Sequence, residues 1–252
     1  MQYAILGSGS RGNATLVRSS NTCLLVDCGF SVKETESRLS KLDISADQID
    51  GILVTHEHSD HSKGVGALSR KYDIPVWATR GTTSAARFGV VNDILNLDAE
   101  TVVDFQDLRI QSYPVPHDAR EPCQYCFDDG NNRLAILTDA GSTTPLMQQV
   151  ISGCDALLLE CNHDSDMLWQ GSYPQRLKER VAGNFGHLSN EQAASFLHSI
   201  DTSSLKKLLA VHLSEKNNTE ALARYTLAET LDCDPDWLQI AEQDEVLDWQ
   251  HL

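Results

Sequence analysis

Short apolar runs separated by turn-forming residues dominate this chain. Tyr3–Leu6, Ala14–Arg18, Thr22–Val26, Gly51–Thr55, Leu108–Pro116, Arg133–Thr138 and Leu205–Val211 read as strands, since short aliphatic stretches bounded by Gly, Asn, Asp or Ser suit a buried sheet. Between such runs the pattern predicts helices over residues 32–42, 60–71, 82–88, 143–151, 174–182, 190–200 and 217–231. Two helix starts are signalled chemically. Ser31-x-x-Glu34 and Ser189-x-x-Gln192 match a capping box, in which the hydroxyl and the side chain three residues on satisfy free amides. After the second, Ala193, Phe196, Leu197 and Ile200 recur at helical spacing, so one face of that helix packs on a sheet. With 252 residues and 41% hydrophobic content, the chain can bury one substantial core, and the expectation is an α/β fold in a single domain over residues 1–252.

The ends of the strand-like runs carry the chemistry. Gly51–Thr55 is followed by His56-Glu-His58-Ser-Asp60-His61, three imidazoles and a carboxylate within six residues. At the end of a strand His56 and His58 share a side, because alternate side chains do, and Asp60 and His61 lie where a helix can begin. Imidazole and carboxylate donors suit zinc or another divalent ion, with manganese and iron also compatible. Four more runs finish the same way: Asp27 follows Val26, His117 follows Pro116, Asp139 follows Thr138 and His212 follows Val211. A lone aspartate after a strand is ordinarily a turn former. Five strand ends that each offer a ligand point to a metal-dependent hydrolase.

In this order the motifs resemble those of the metallo-β-lactamase-fold hydrolases, over nearly the whole chain. The resemblance implies a four-layer αββα sandwich with two divalent metal ions at one edge of the packed sheets. His56, His58 and His117 would hold one ion, Asp60, His61 and His212 the other, and Asp139 would bridge them; Asp27 would orient the ligands. A narrower likeness lies in Leu159-Glu-Cys-Asn-His-Asp164, Gly171-Ser-Tyr-Pro174, Leu177-Lys-Glu-Arg180 and Gly186-His-Leu-Ser-Asn190, together with the opening loop Gly7–Asn13. These are similar to the YycJ/WalJ-like exonuclease branch, with Cys161 at the position of that branch's usual serine. His187 also resembles the extra histidine of RNase Z-like phosphodiesterases.

The branch implies a metal-dependent phosphodiesterase, a 5′-to-3′ exonuclease on DNA, in which hydroxide bridging the ions attacks phosphorus. Asp60, His187 and Glu160 are the expected catalytic groups, with His187 protonating the departing sugar oxygen and Glu160 orienting it. Arg11, Asn13, Asn162 and Lys178 are the expected substrate contacts. The alternative on the same dinuclear scaffold is a thioester or small cyclic-phosphate hydrolase, because the metal motifs do not choose the substrate.

Several features bound this reading. Gly7-x-Gly9-x-x-Gly12 imitates a dinucleotide fingerprint, but a strand rather than a helix follows it, so no nucleotide cofactor is expected. The glycines instead would let the backbone pass close beneath the metals. A net charge of −16 opposes a polyanionic substrate. Metal ions offset this locally, the acidic stretches 232–236 and 242–248 read as a solvated C-terminal face, and Arg120, Arg176, Arg180 and Lys216 add cations near the motifs. Seven scattered cysteines predict thiols in a reducing, cytoplasmic compartment, and Cys123-x-x-Cys126 reads as coincidence within a strand. No apolar run of about 18 residues and no signal core appears, so no membrane association is expected. Residues alone leave the oligomeric state open.

Overall fold

Apolar residues on both faces of most strands dictate that sheets pack on each other and are covered by helices. The computed structural model describes every residue except Asn92. The first half of the chain runs β1 (Gln2–Gly7), β2 (Ala14–Arg18), β3 (Cys23–Val26), α1 (Val32–Ser40), β4 (Gly51–Leu53), α2 (Ser59–Ser62), α3 (Val65–Tyr72), β5 (Val76–Thr79), α4 (Arg80–Ala85), β6 (Ile94–Leu97), β7 (Thr101–Phe105) and β8 (Leu108–Pro114). The second half runs β9 (Cys123–Asp128), β10 (Arg133–Leu137), α5 (Pro145–Ile151), β11 (Ala156–Glu160), α6 (Ser165–Gln170), α7 (Gln175–Val181), α8 (Asn190–His198), β12 (Lys207–Val211), α9 (Glu220–Leu231), β13 (Gln239–Ile240) and β14 (Leu247–His251).

Two seven-stranded sheets result, in the orders β14-β1-β2-β3-β4-β5-β6 and β13-β12-β11-β10-β9-β8-β7. Between them lies a core of Tyr3, Ile5, Val17, Leu24 and Leu53 from one sheet against Ile110, Tyr125, Phe127, Ile136, Leu158 and Leu209 from the other. A second cluster packs α1 and α3 on the first sheet through Leu39, Val65 and Leu68. A third packs α5, α8 and α9 on the other through Met147, Phe196 and Leu227. The architecture is the αββα sandwich.

Strands β3 to β6 are mutually parallel, as are β10 to β13. Parallel strands share one carboxyl edge, where open α/β sheets place their sites. Asp27, the 56–61 cluster, Asp139, Glu160 and His212 all stand at such ends. Strand β8 is antiparallel to β9, and β9 to β10, so β8 runs with β10 and delivers His117 to the same edge.

The structure corrects several boundaries. The helix expected over 60–71 is broken at Gly64, where a Cβ would lie 2.0 Å from the Phe30 carbonyl oxygen. Ser31 accepts from the Glu34 amide, but the Glu34 carboxylate turns to Arg38 instead of completing a box; Ser189 and Gln192 form both bonds. Residues 242–248 do expose their acidic side chains, yet the chain continues into β14, paired with β1. Loop 8–13 leads into β2, a strand. Its glycines make room chiefly for other neighbours: a Cβ on Gly7 would meet Arg38 and Phe30 within 2.7 Å, and one on Gly12 would meet Phe30. The close approach to the 56–61 cluster belongs to Gly29, whose Cβ would lie 1.8 Å from the Asp60 carbonyl oxygen. All seven cysteines are free thiols. Cys123 and Cys126 point to opposite faces of β9, one into the core between the sheets and the other toward the helices. No helix among the described residues is long and apolar enough to cross a membrane.

Candidate metal centre

Three strand-end residues turn the chain sharply. Asp27, Asp139 and His212 have φ of 61°, 55° and 57°, a left-handed conformation that aspartate tolerates better than most residues. Such a turn lets a strand stop and its next side chain face the edge, and strained backbone of this kind gathers at functional sites. The loop carrying the histidine cluster is held from the opposite sheet. The Tyr125 hydroxyl donates to the Val54 carbonyl at 2.9 Å, and the Cys123 amide to the Thr55 carbonyl at 3.1 Å. This is the structural use of the Cys123–Cys126 strand.

The folded chain gathers four overlapping sets of donor atoms, each set lying within 4.8 Å: His56, His58 and His117; His56, His61 and Asp139; Asp60, His61 and His212; and Asp139, Glu160, His187 and His212. Hydrogen bonds set the imidazole tautomers. His117 Nδ1 donates to the Gly186 carbonyl at 3.0 Å, so its Nε2, 3.2 Å from His58 Nδ1, carries the lone pair. His61 Nδ1 lies 2.7 Å from Asp27 Oδ2 and His212 Nδ1 lies 3.1 Å from Glu160 Oε1, which leaves both Nε2 atoms facing the cluster. Thr55 joins in: its amide and hydroxyl both donate to Asp27, and its oxygen lies 3.0 Å from His56 Nδ1.

Whether these residues fit divalent cations is tested by what they lack. His56 Nε2 and His212 Nε2 are buried with no hydrogen-bond partner among the described residues. Asp27, Asp139 and Glu160 are almost wholly buried, Asp139 and Glu160 in one donor set and Asp27 on the far side of the His61 ring, and buried charge of one sign persists only with opposite charge beside it. Burial by itself would raise the carboxyl pKa values, yet His212, His61, His56 and His117 hold Asp139 well below the usual range, and His61 and His212 do the same for Asp60. Against burial, Asp139, Asp60 and Glu160 lift His212 to about 10. His56 moves the other way, pushed well below its ordinary value by burial and by neighbouring imidazoles. Unpartnered imidazole nitrogens and ionised carboxylates that draw positive charge into one buried place are the donor set of a divalent metal site.

A β-lactamase superfamily domain matches residues 22–213. Exodeoxyribonuclease YycJ of Bacillus anthracis is 39% identical over 236 residues, covering 92% of this chain and 89% of that protein. The chain belongs to the β-lactamase superfamily. Within it the branch is that of YycJ and WalJ: Exodeoxyribonuclease WalJ of Streptococcus pneumoniae serotype 2 is 36% identical over 91% of this chain and 88% of its own length. Fold is shared more widely. The metallo-β-lactamase-fold protein YhfI of Bacillus subtilis superposes with a TM-score of 0.75 over 98% of this chain and 99% of its own, at 17% identity.

Against that family background, the four residues expected to touch substrate are engaged elsewhere. Arg11 is gripped by Glu215 at 2.7 Å and Asp244 at 2.6 Å. Asn13 is buried, bonded to the Gly9 backbone and set 3.1 Å from His61 Nε2. Asn162 donates to the His212 carbonyl at 3.0 Å. Lys178 is buried, its ammonium bonded to the Trp169 carbonyl at 2.7 Å. Glu160 holds more than expected: its carboxylate meets His187 Nδ1 at 2.8 Å and His212 Nδ1 at 3.1 Å, and accepts the Ala140 and Leu188 amides. Two neighbours were not singled out in the sequence. Thr55 ends an apolar run, where a hydroxyl is an available signal. Asp118 directly follows His117, and its Oδ1 lies 3.6 Å from His117 Nε2 and 3.9 Å from His58 Nε2.

Proposed function

We propose that this chain is a metal-dependent phosphodiesterase acting as an exonuclease on DNA, removing nucleotides from the 5′ end. The observation that carries the reading is similarity, over about nine-tenths of both chains, to proteins named exodeoxyribonucleases. The complete donor cluster supports it. His56, His58 and His117 would hold one divalent cation and Asp60, His61 and His212 a second, with Asp139 shared between them; zinc suits these donors, and manganese or iron would also be accepted. Bound there, such ions supply charge neutralisation on phosphoryl oxygens and a more acidic water.

The chain's own residues do the rest. Glu160, fully buried and offered two imidazole nitrogens and two backbone amides, stays ionised, with its carboxyl below the usual range. That negative charge keeps the proton of His187 on Nδ1 and fixes the ring plane. With the Nδ1 proton held by Glu160, a second proton on Nε2 is the one His187 passes to the departing sugar oxygen, the ring returning to its neutral Nδ1–H form. Asp27 and Thr55 act one step back, by fixing which nitrogen of His61 and His56 faces the cations.

Metal-loaded protein incubated with 5′-labelled duplex DNA, a thioester and bis(p-nitrophenyl) phosphate separates this reading from a thioester hydrolase. Degradation of the labelled DNA, abolished by chelator, is the expected result; turnover of the thioester alone would reject it. His187→Ala should keep its metal and lose about 100- to 10,000-fold in turnover, the range for a general acid. Full activity in that variant would remove His187 from the chemistry.

A further inference from the structure

Beside the cluster, one aspartate binds an exposed cation through its carboxylate and, through its amide, the backbone of a residue whose aromatic side chain is exposed. Asp118 Oδ2 accepts from Arg180 Nε at 2.5 Å, and the Asp118 amide donates to the Phe185 carbonyl at 3.0 Å. The loop bearing Phe185 is pinned from several directions. Gly186 O accepts from His117 Nδ1, Asn184 O accepts from the Ser142 hydroxyl, and the His187 amide donates to the Val181 carbonyl at 2.9 Å. A Cβ on Gly141 would lie 2.3 Å from the Gly186 amide, so the loop sits directly on the Asp139 turn. On this rigid backbone the Phe185 side chain is 63% exposed, two residues from His187. Arg180 is 60% exposed, and among the described residues its two terminal nitrogens have no partner.

A large apolar ring left in water on an anchored loop is what a base-stacking platform requires, and a guanidinium held at Nε presents its remaining hydrogens in the fork that fits a phosphate. We propose that Arg180 and Phe185, tied together through Asp118, form a nucleotide subsite at the mouth of the metal centre, the guanidinium taking a phosphate and the ring stacking on a base next to the scissile bond. This rests on the phosphodiesterase reading above. Unlike Arg11, which sits between two carboxylates, Arg180 meets one, and the other oxygen of that carboxylate faces His58 and His117. The subsite thus supplies local recognition on a chain whose net charge of −16 would otherwise repel the substrate.

The test uses full-length metal-loaded enzyme and 5′-labelled single-stranded oligonucleotides with a base missing at the first, second or third position. Phe185→Ala should lower kcat/KM about 5- to 150-fold on complete DNA, and Phe185→Trp should restore it. At the one position where the ring stacks, removing the base should slow wild type but add nothing to Phe185→Ala. Arg180→Gln should raise KM whichever base is absent, and should flatten the slope of log(kcat/KM) against log[salt] by about 0.7, one phosphate contact on a single strand. Equal loss in Phe185→Ala on complete DNA and on all three abasic substrates, or no loss, overturns the stacking role, and an unchanged salt slope overturns the phosphate role. If wild type degrades neither these oligonucleotides nor the labelled duplex, the nuclease reading falls first; activity on the duplex alone overturns the subsite on single strands and leaves that reading standing. Metal content and melting temperature matching wild type show that the variants are folded.

Discussion

Replacing Asp27 by asparagine probes how the metal centre is oriented, because it changes one atom and keeps the backbone. Asparagine accepts the left-handed φ of 61° that alanine would resist. In the native site Asp27 takes three protons: the Thr55 amide at 2.8 Å, the Thr55 hydroxyl at 2.8 Å and His61 Nδ1–H at 2.7 Å. The amide oxygen of asparagine still accepts from the Thr55 amide, and the Thr55 hydroxyl can reverse its role. His61 has no neutral way to comply except by moving its proton to Nε2, the atom that faces Asp60, Asp139 and Asn13. Nε2 then cannot bind a cation. The lost charge-assisted bond is worth about 1.5–3 kcal/mol, or roughly 10- to 150-fold in affinity, and this agrees with the 10- to 100-fold cost expected when a ligand's partner is removed. Chelator-competition titration of metal content should therefore show one cation held about 10- to 100-fold more weakly, with the metal-free melting temperature within a few degrees of wild type. Affinities equal within twofold would refute the tautomer argument.

Three other outcomes follow from particular contacts. Gly29→Ala places a methyl 1.8 Å from the Asp60 carbonyl oxygen while the Gly29 amide is bonded to Asn13; the overpacking should cost about 2–3 kcal/mol and about 5–10 °C in Tm, and an unchanged melt would show that the loop yields. Asp107 ties the β2–β3 turn of one sheet to the β7–β8 turn of the other, accepting from Ser19 and Thr22 at 2.6 Å and from the Asn21 amide. Slight burial opposes ionisation, but these donors hold its carboxyl below the usual range, so its stabilisation exists above the unfolded pKa of about 3.9 and is lost as pH falls through the lower native value; Asp107→Ala should melt a few degrees below wild type at pH 7, with the gap closing as the pH is taken down through that lower native value. A gap that persists in acid would point to packing instead. Six of the seven cysteines are buried, with Cys123 and Cys154 pushed up to about 12 and Cys23 and Cys28 to about 11 by burial. Ellman's reagent should therefore reach only Cys233 at neutral pH and all seven after denaturation; rapid labelling of several thiols in folded protein would contradict the packing.

Strand ends were legible because a donor directly after an apolar run is a local feature. Asp27, His117, Asp139 and His212 each declare themselves within ten residues of chain, and the parallel topology only brings them to one edge. Where the apolar signal is weak, the sequence reading missed elements. Strand β6 leaves Leu95 and Asn96 exposed, and β7 alternates in and out at a sheet edge, so neither stood out as a buried run. Helix α6 spans six residues, too short for a periodic stripe, although Asp164, whose carboxylate caps the Met167 amide at 2.8 Å, marked its start.

By itself the sequence determined the strand-like runs and the ordered donors at their ends, since those depend on apolar runs, turn residues and donor chemistry; the sandwich and the roles of His187 and Glu160 follow from the family resemblance of its motifs. Tertiary structure alone decided how far each cation is already paired. Arg11 is neutralised by partners 204 and 233 residues away, and Lys178 disappears beneath the Trp169 carbonyl. Arg180 and Phe185 instead stand open beside the centre, because a single aspartate from another loop holds both. The charge a side chain presents to a ligand depends on what folds against it, and those contacts are too distant along the chain for local pattern to show.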